Sequence, residues 1–163
     1  MAIDQPRIVP MSDHPSTRSP TKPLPEETSP KLQLPLDEKL VLKVIPMPRD
    51  VNANGDIFGG WVMAQVDLAG AVIAAPYADG RMATVAVNEF IFKQPVRVGD
   101  ILSFYGKLLR IGRTSITVKV EVYAEHFRAQ GSYTKVTEAL LTYVALDEHG
   151  KPREVPKPAP ATP

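Results

Sequence analysis

The chain of 163 residues contains no cysteine. Disulfides, thiolate metal ligands and cysteine nucleophiles are thereby excluded. The composition fits a reducing compartment, and the cytosol is the expected location. An excess of either charge is also missing: 19 Lys and Arg face 18 Asp and Glu, for a net charge of +1. A surface built to grip nucleic acid needs a basic excess, so no nucleic-acid partner is expected. A small basic patch for a phosphorylated molecule is still compatible with that balance. No uninterrupted apolar run marks a signal peptide at the N-terminus. The longest apolar stretch, Trp61 to Tyr77, is interrupted by Gln65, Asp67 and Gly70, and reads as a buried helix rather than a membrane span. Histidine is scarce: His14, His126 and His149 show no metal-ligand spacing, so no metal site is expected. Ser103, Ser115 and Ser132 lack the G-x-S-x-G setting of a serine-triad hydrolase.

What the chain has in quantity is proline, 17 residues gathered toward its ends. Each proline removes a backbone donor, and residues 1 to about 36 mix prolines with Ser, Thr and charge. Such a segment buries too little apolar surface to offset its ordering entropy, so it reads as a disordered tail. Residues 151–163 have the same character. The folded body is therefore expected within residues 37–150, one domain in size.

Inside that body, Leu40, Leu42 and Val44 alternate with Val41, Lys43 and Ile45, which predicts a first strand. A turn-rich loop, Arg49 to Asp56, leads to a helix from about Gly59 or Gly60 to Tyr77. That helix is apolar on nearly every side, so protein must surround it. Strands are predicted at 82–92, 101–111, around 116–123 and 133–146, with a hairpin turn at Gly112-Arg113. One long helix with consecutive antiparallel strands is an α+β architecture. A sheet of this kind leaves edges and part of the helix uncovered, which points to a homo-oligomer.

The one dense cluster of suggestive residues is Asn52-Ala53-Asn54-Gly55-Asp56-Ile57-Phe58-Gly59-Gly60-Trp61. Asn54-Gly55 forces a tight turn. Gly59 and Gly60 expose backbone N–H groups where a helix starts, with unpaired donors and partial positive charge. Those donors suit the oxyanion of an acyl-transfer intermediate, and Asp56 beside them suits a general base or nucleophile. The plainer reading makes Asp56 a helix N-cap and the glycines a packing device. Asp67, mid-helix, reads as a paired structural carboxylate or a seam residue, and Glu89 as a contact between subunits.

This motif, followed by Met63, Gln65, Asp67 and Gly70, resembles the YciA-type bacterial acyl-CoA thioesterases. The resemblance runs on through Pro95-Val96-x-Val98-Gly99-Asp100, Gly112-x-Thr114-Ser115-Ile116, Thr137-Glu138-Ala139-Leu140 and Gly150-Lys151-Pro152-Arg153, over residues 38–156. It implies a hot-dog fold, an antiparallel sheet wrapped around a long central helix. It also implies a homodimer, three of which form a hexamer, and hydrolysis of acyl-CoA to a free acid and coenzyme A without a cofactor. Asp56 matches the catalytic carboxylate, with Gly59 and Gly60 polarising the thioester carbonyl. Asn54 would shape the loop or touch the thioester, Phe58 would border the substrate, and Thr114 and Ser115 would meet pantetheine or nucleotide. A cation from among Lys93, Arg97, Arg113 and Lys135 would meet the coenzyme phosphates. Gln94 departs from the arginine often found before the Pro-Val pair, and Val87-Asn88-Glu89-Phe90 from the usual Val-Glu-Gly-Met-like run. A non-catalytic acyl-CoA-binding domain is the alternative; a hot-dog dehydratase is disfavoured because no histidine lies near the helix.

Removing residues 1 to about 36 is expected to leave activity and melting temperature intact, because a disordered tail adds little to a core. A melting temperature lowered by more than about 5 °C in thermal unfolding would contradict that reading.

Overall fold

The computed structural model describes residues 34–156. Most of the proline-rich segments at 1–36 and 151–163 therefore lies outside the described residues. Within them the order is β1 (Lys39–Val44), a 3₁₀ turn (Pro48–Asp50), α1 (Gly59–Ala78), β2 (Met82–Phe92), β3 (Asp100–Ile111), β4 (Ser115–His126) and β5 (Tyr133–Ala145). The strands make one antiparallel sheet in the order β1-β3-β4-β5-β2. This is the hot-dog arrangement that the resemblance implies, and element limits fall within a residue or two of those read from periodicity except at the end of β4, which runs three residues beyond Tyr123 to His126.

Alternation on β4 decides which face holds the helix. Ile116, Val118, Val120 and Val122 are all fully buried. Paired with Tyr143, Leu141, Ala139 and Thr137 of β5, they form the floor on which α1 lies. The helix answers with Val62, Val66, Ala69, Gly70 and Ala74, spaced at three and four residues. Gly70 is required by closeness: a Cβ there would collide with the Tyr143 hydroxyl. That hydroxyl donates to the Asp67 carbonyl oxygen at 2.8 Å, and the Thr84 hydroxyl donates to Asp67 Oδ1 at 2.7 Å. Asp67 thus has the structural partners expected of a mid-helix carboxylate.

One chain does not finish the core. Met63, Leu68 and Val72 on α1, and Val85, Val87 and Ile91 on the long edge strand β2, are exposed apolar side chains. An eleven-residue apolar edge with no partner strand is a template for pairing with another chain.

The domain does not stop at 150. Leu146 bridges back to Pro152, Val155 is buried, and the Arg113 carbonyl accepts from the Val155 N–H at 2.8 Å. Arg153 reaches the end of α1, donating to the carbonyls of Ala78 and Asp79 and, through Nε, to Leu146. Composition alone reads Lys151 to Pro156 as tail; long-range bonds from one arginine hold it in the fold.

The outer face of the sheet carries charge instead of apolar side chains. Glu38 pairs with Lys107 at 2.7 Å and Lys119 at 3.7 Å, and Lys119 in turn pairs with Glu121. Lys135 joins Glu121 at 2.7 Å to Glu138 at 2.6 Å, and Lys93 closes the ladder on Glu138 at 2.9 Å. Burial alone would raise the Glu121 carboxyl, but hydrogen bonds from Lys119, Lys135 and Tyr123 outweigh it and hold the group at about 2. A carboxyl depressed on folding stabilises the native state above its unfolded value of 4.5, and that contribution is lost as pH falls toward about 2. Glu121→Gln is therefore expected to show a shallower loss of melting temperature across that interval than the parent protein. Parallel curves in a pH series of thermal melts would refute this.

Candidate active site

The loop before α1 is built by one side chain. Asn52 Oδ1 accepts the backbone N–H of Asn54 at 2.8 Å and of Asp56 at 3.2 Å, an Asx-type turn. The Asn52 N–H returns a 2.7 Å bond to the Asp56 carbonyl oxygen. Between them Gly55 takes φ +89°, a left-handed conformation that glycine adopts without strain. Two further bonds fix the loop to the body: Ile57 N–H to the Val96 carbonyl at 2.8 Å, and Phe58 N–H to the Asp50 carbonyl at 3.0 Å. The loop-shaping role expected of Asn54 belongs to Asn52, while the Asn54 side chain is exposed. The signal was present in the sequence, since an Asn four residues before Asp56 is positioned to close such a turn.

The N-cap reading of Asp56 does not hold. The N-cap position is Phe58, and no side chain caps the helix. The first bonds of α1 run from the N–H groups of Trp61 and Val62 to the Phe58 carbonyl, at 3.0 and 3.2 Å. The N–H groups of Gly59 and Gly60 lie ahead of them, without intrahelical acceptors. The two glycines differ in what they permit. A Cβ at Gly59 would press on the Phe92 ring at 3.0 Å, whereas a Cβ at Gly60 would meet nothing within 4 Å. Gly59 thus admits Phe92, and Gly60 leaves the helix start open. Asp56 is half-buried beside this opening, and among the described residues its carboxylate has no hydrogen-bond or ion-pair partner. Exposed Phe58 adds an apolar wall, and the Phe92 ring lies tilted against Phe90 with centroids 4.8 Å apart.

The remaining nominated residues divide by position. The end of the sheet that carries Asp56 holds the last residue of β2 and the first of β3 and β5, and so Lys93, Arg97 and Lys135. Lys93 and Lys135 are both committed to the charge ladder. Arg97 makes no ion pair among the described residues; its backbone N–H donates to Asp100 Oδ2 at 2.9 Å. Arg113, Thr114 and Ser115 lie in the β3–β4 hairpin at the opposite end of the same chain. There the Thr114 carbonyl accepts from Ala145 N–H, and an exposed Arg113 approaches Glu154 at 3.6 Å. One protomer therefore does not bring these three together with Asp56.

A sheet curved around one central helix, with a carboxylate at an uncapped helix start, is the architecture of hot-dog thioesterases. The thioesterase superfamily matches residues 54–128 of the chain. The YciA acyl-CoA thioester hydrolase of Salmonella typhimurium is 47% identical over 120 residues, covering 72% of this chain and 90% of its own. That of Escherichia coli K12 is 46% identical over 119 residues, with the same shares covered. Among solved structures, a hexameric broad-specificity acyl-coenzyme A thioesterase, crystallised as an aspartate-to-alanine variant, superposes with a TM-score of 0.71. It is 44% identical and covers 75% of this chain and 89% of that one. A hexameric thioesterase from Yersinia pestis gives 0.70 at 45% identity, covering 75% and 98%. The chain belongs to the YciA-type acyl-CoA thioesterases of the thioesterase superfamily.

Asn52→Ala is expected to lower stability by about 1–2 kcal/mol, because two loop N–H groups lose their acceptor. Asn54→Ala should leave the melting temperature unchanged, and equal losses from the two substitutions would show that Asn52 does not organise the loop.

Proposed function

We propose that this protein hydrolyses acyl-CoA thioesters to a free acid and coenzyme A, with Asp56 as the catalytic carboxylate. The observation that carries the reading is that the Asn52 turn fixes the Asp56 backbone three and four residues before the open amides of Gly59 and Gly60, while its carboxylate has no partner among the described residues. The thioester carbonyl oxygen would sit against those amides, and the helix dipole would favour the negative charge that develops on it. Asp56 takes a proton from water as the water oxygen bonds to the carbonyl carbon. The tetrahedral intermediate then collapses, the C–S bond breaks, and the leaving thiolate receives that proton. In the second route the Asp56 carboxylate bonds to the carbonyl carbon, the C–S bond breaks and coenzyme A leaves as a thiolate that takes a proton from solvent; water then cleaves the acyl-aspartyl anhydride to the free acid and the Asp56 carboxylate. Either route runs without metal or prosthetic group. The cytosol, expected from the absence of cysteine, is its proposed place of action.

The site is completed in a dimer. Pairing the apolar edge β2 with its copy about a two-fold axis makes one continuous antiparallel sheet and covers Met63, Leu68 and Val72. The same operation reverses the ends of the partner. Its β3–β4 hairpin comes to the end that carries Asp56, which supports a substrate-binding role for Arg113, Thr114 and Ser115 from across the seam, with Asn54 and Phe58 on the near side. The hexamers of the related enzymes support three such dimers as the full assembly.

Asp56→Asn keeps the size of the side chain and removes its basicity. It is expected to lower kcat by about 10²–10⁴-fold with the melting temperature and oligomer unchanged. Thiol release from acyl-CoA checks this, and normal turnover in a folded variant would refute the assignment. Single turnover in ¹⁸O-water tests for the anhydride, since ¹⁸O in Asp56 arises only when water cleaves an acyl-aspartyl anhydride at the aspartyl carbon.

A further inference from the structure

A single peptide plane fixes the residue after Asp56. The unit that joins Val96 to Arg97 uses both of its polar groups. Its carbonyl, that of Val96, accepts the Ile57 N–H at 2.8 Å, and its N–H, that of Arg97, donates to Asp100 Oδ2 at 2.9 Å. The tilt of that plane therefore sets where the Asp56 loop is held. A carboxylate acceptor makes the second bond charge-assisted, and along a chain of bonds it polarises the carbonyl that faces Ile57. Asp100 also returns its own N–H to the Arg97 carbonyl at 3.1 Å, and Gly99 between them takes φ +92° to let the turn close.

The Asp100 carboxylate is itself incompletely satisfied. The residue is 2% exposed, and Oδ1 has no hydrogen-bond donor among the described residues. The polar atom that lies against Oδ1 is Nδ1 of His126. Asp100 and His126 are cross-strand partners, the first residue of β3 and the last of β4, so the register itself keeps them together. A buried acceptor left without a donor costs about 1–3 kcal/mol, and an imidazole with a proton on Nδ1 offsets that cost. Core packing does not explain the histidine, whose side chain is 63% exposed. Close packing does not hold the junction either. A cavity of about 260 Å³ is lined by Gln94, Arg97, Asp100, His126 and Thr134, among others. A larger one, of about 530 Å³, is lined by Val98, Gly99, His126 and Phe127, among others. Beside these spaces the two loops are joined by polar contacts, the Asp100–His126 pair and the bond from Phe127 N–H to the Gly99 carbonyl at 3.2 Å. We propose that His126 is a positioning residue for the Asp56 loop: its imidazole keeps the Asp100 carboxylate on the Arg97 N–H, and the Val96 carbonyl thereby stays aimed at Ile57. This rests on the reading of Asp56 as the catalytic carboxylate.

The test uses the full-length protein. Because His126 is exposed, His126→Ala is expected to fold with a melting temperature close to that of the parent. Its kcat on acyl-CoA should fall about 5- to 50-fold, as expected when a catalytic group loses its placement by a fraction of an ångström, with KM nearly unchanged. Hydrogen exchange of the Ile57 amide, followed by NMR, should quicken by about tenfold. His126→Asn, whose amide nitrogen can take the place of Nδ1, should restore most of both. In an Asp100→Asn background, removing His126 should cost nothing further, since the histidine acts through that carboxylate. An unchanged kcat in His126→Ala overturns the proposal, as does a lowered kcat with unchanged Ile57 exchange. So does a raised KM with kcat intact, which would make His126 a substrate contact, or a full further loss in the Asp100→Asn background. A parent protein without hydrolysis, in which His126→Ala still quickens Ile57 exchange, would instead fail the thioesterase reading and keep the coupling.

Discussion

Helix α1 is closed at one end and open at the other, and the site depends on that asymmetry. At the C-terminus Asp79 takes a left-handed conformation and its N–H bonds the Ala75 carbonyl. Arg153 covers the carbonyls of Ala78 and Asp79 from outside the helix. At the N-terminus no side chain caps the helix, and the two residues that follow the N-cap are glycines. An isolated helix in that state would fray from its first turn. It does not have to hold itself together here, because Val62, Val66 and Ala69 are sunk into the sheet floor and Gly70 lets Tyr143 lock onto the Asp67 carbonyl. Burial of the helix body, worth about 1.5–3 kcal/mol for each large apolar side chain, keeps the first turn in place with its amides unused. A capping aspartate at position 58 would stabilise the helix and occupy the amides that the proposed mechanism leaves for the thioester carbonyl oxygen.

The two faces of the sheet solve different problems. The concave face is apolar and takes the helix. On the outer face a chain of carboxylates and ammonium groups runs from Glu38 to Lys93 across the strands. Exposed pairs elsewhere on the surface, such as Arg113 with Glu154, contribute little individually. Glu121 is different, because it is buried and held by three donors, so removing any one donor would leave part of a buried charge unanswered. The ladder also holds Lys93 and Lys135 in ion pairs with Glu138 and Glu121.

Much of this was legible in the sequence because it depends on local periodicity. The alternation Ile116-Val118-Val120-Val122 specifies a strand with one buried face wherever it occurs, and an all-round apolar run from Trp61 to Tyr77 specifies a sheathed helix. Asp56 was legible because the turn and the helix start are neighbours in sequence. What stayed hidden depends on partners far apart in the chain. Nothing in Lys135 reveals that strand pairing sets it beside Glu121, fourteen residues earlier, nor that Arg97 lacks such a neighbour. Arg153 sits in a proline-rich composition, and its bonds to a helix end 74 and 75 residues away have no local signature. The N-cap reading of Asp56 failed for a related reason. Proximity to a helix start allows a cap, but Asn52 draws the Asp56 backbone into its own turn and leaves Phe58 as the residue at the cap position.

The departures from the family pattern acquire a physical meaning once the pairing is known. Where relatives often carry arginine before the Pro-Val pair, this chain has Gln94, which lines the smaller cavity with Arg97. The preceding Lys93 is tied to Glu138 and does not replace the missing guanidinium. Asn88 is likewise accounted for by strand geometry, since β2 shifts register between Val87 and Glu89 and Asn88 is the extra residue, its amide donating to Thr142 at 3.2 Å. A bulge at that place bends the edge through which the two subunits would join. Changes in this run thus act on the edge strand, while the Asp56 loop is held by bonds of its own to Asn52, Asp50 and Val96.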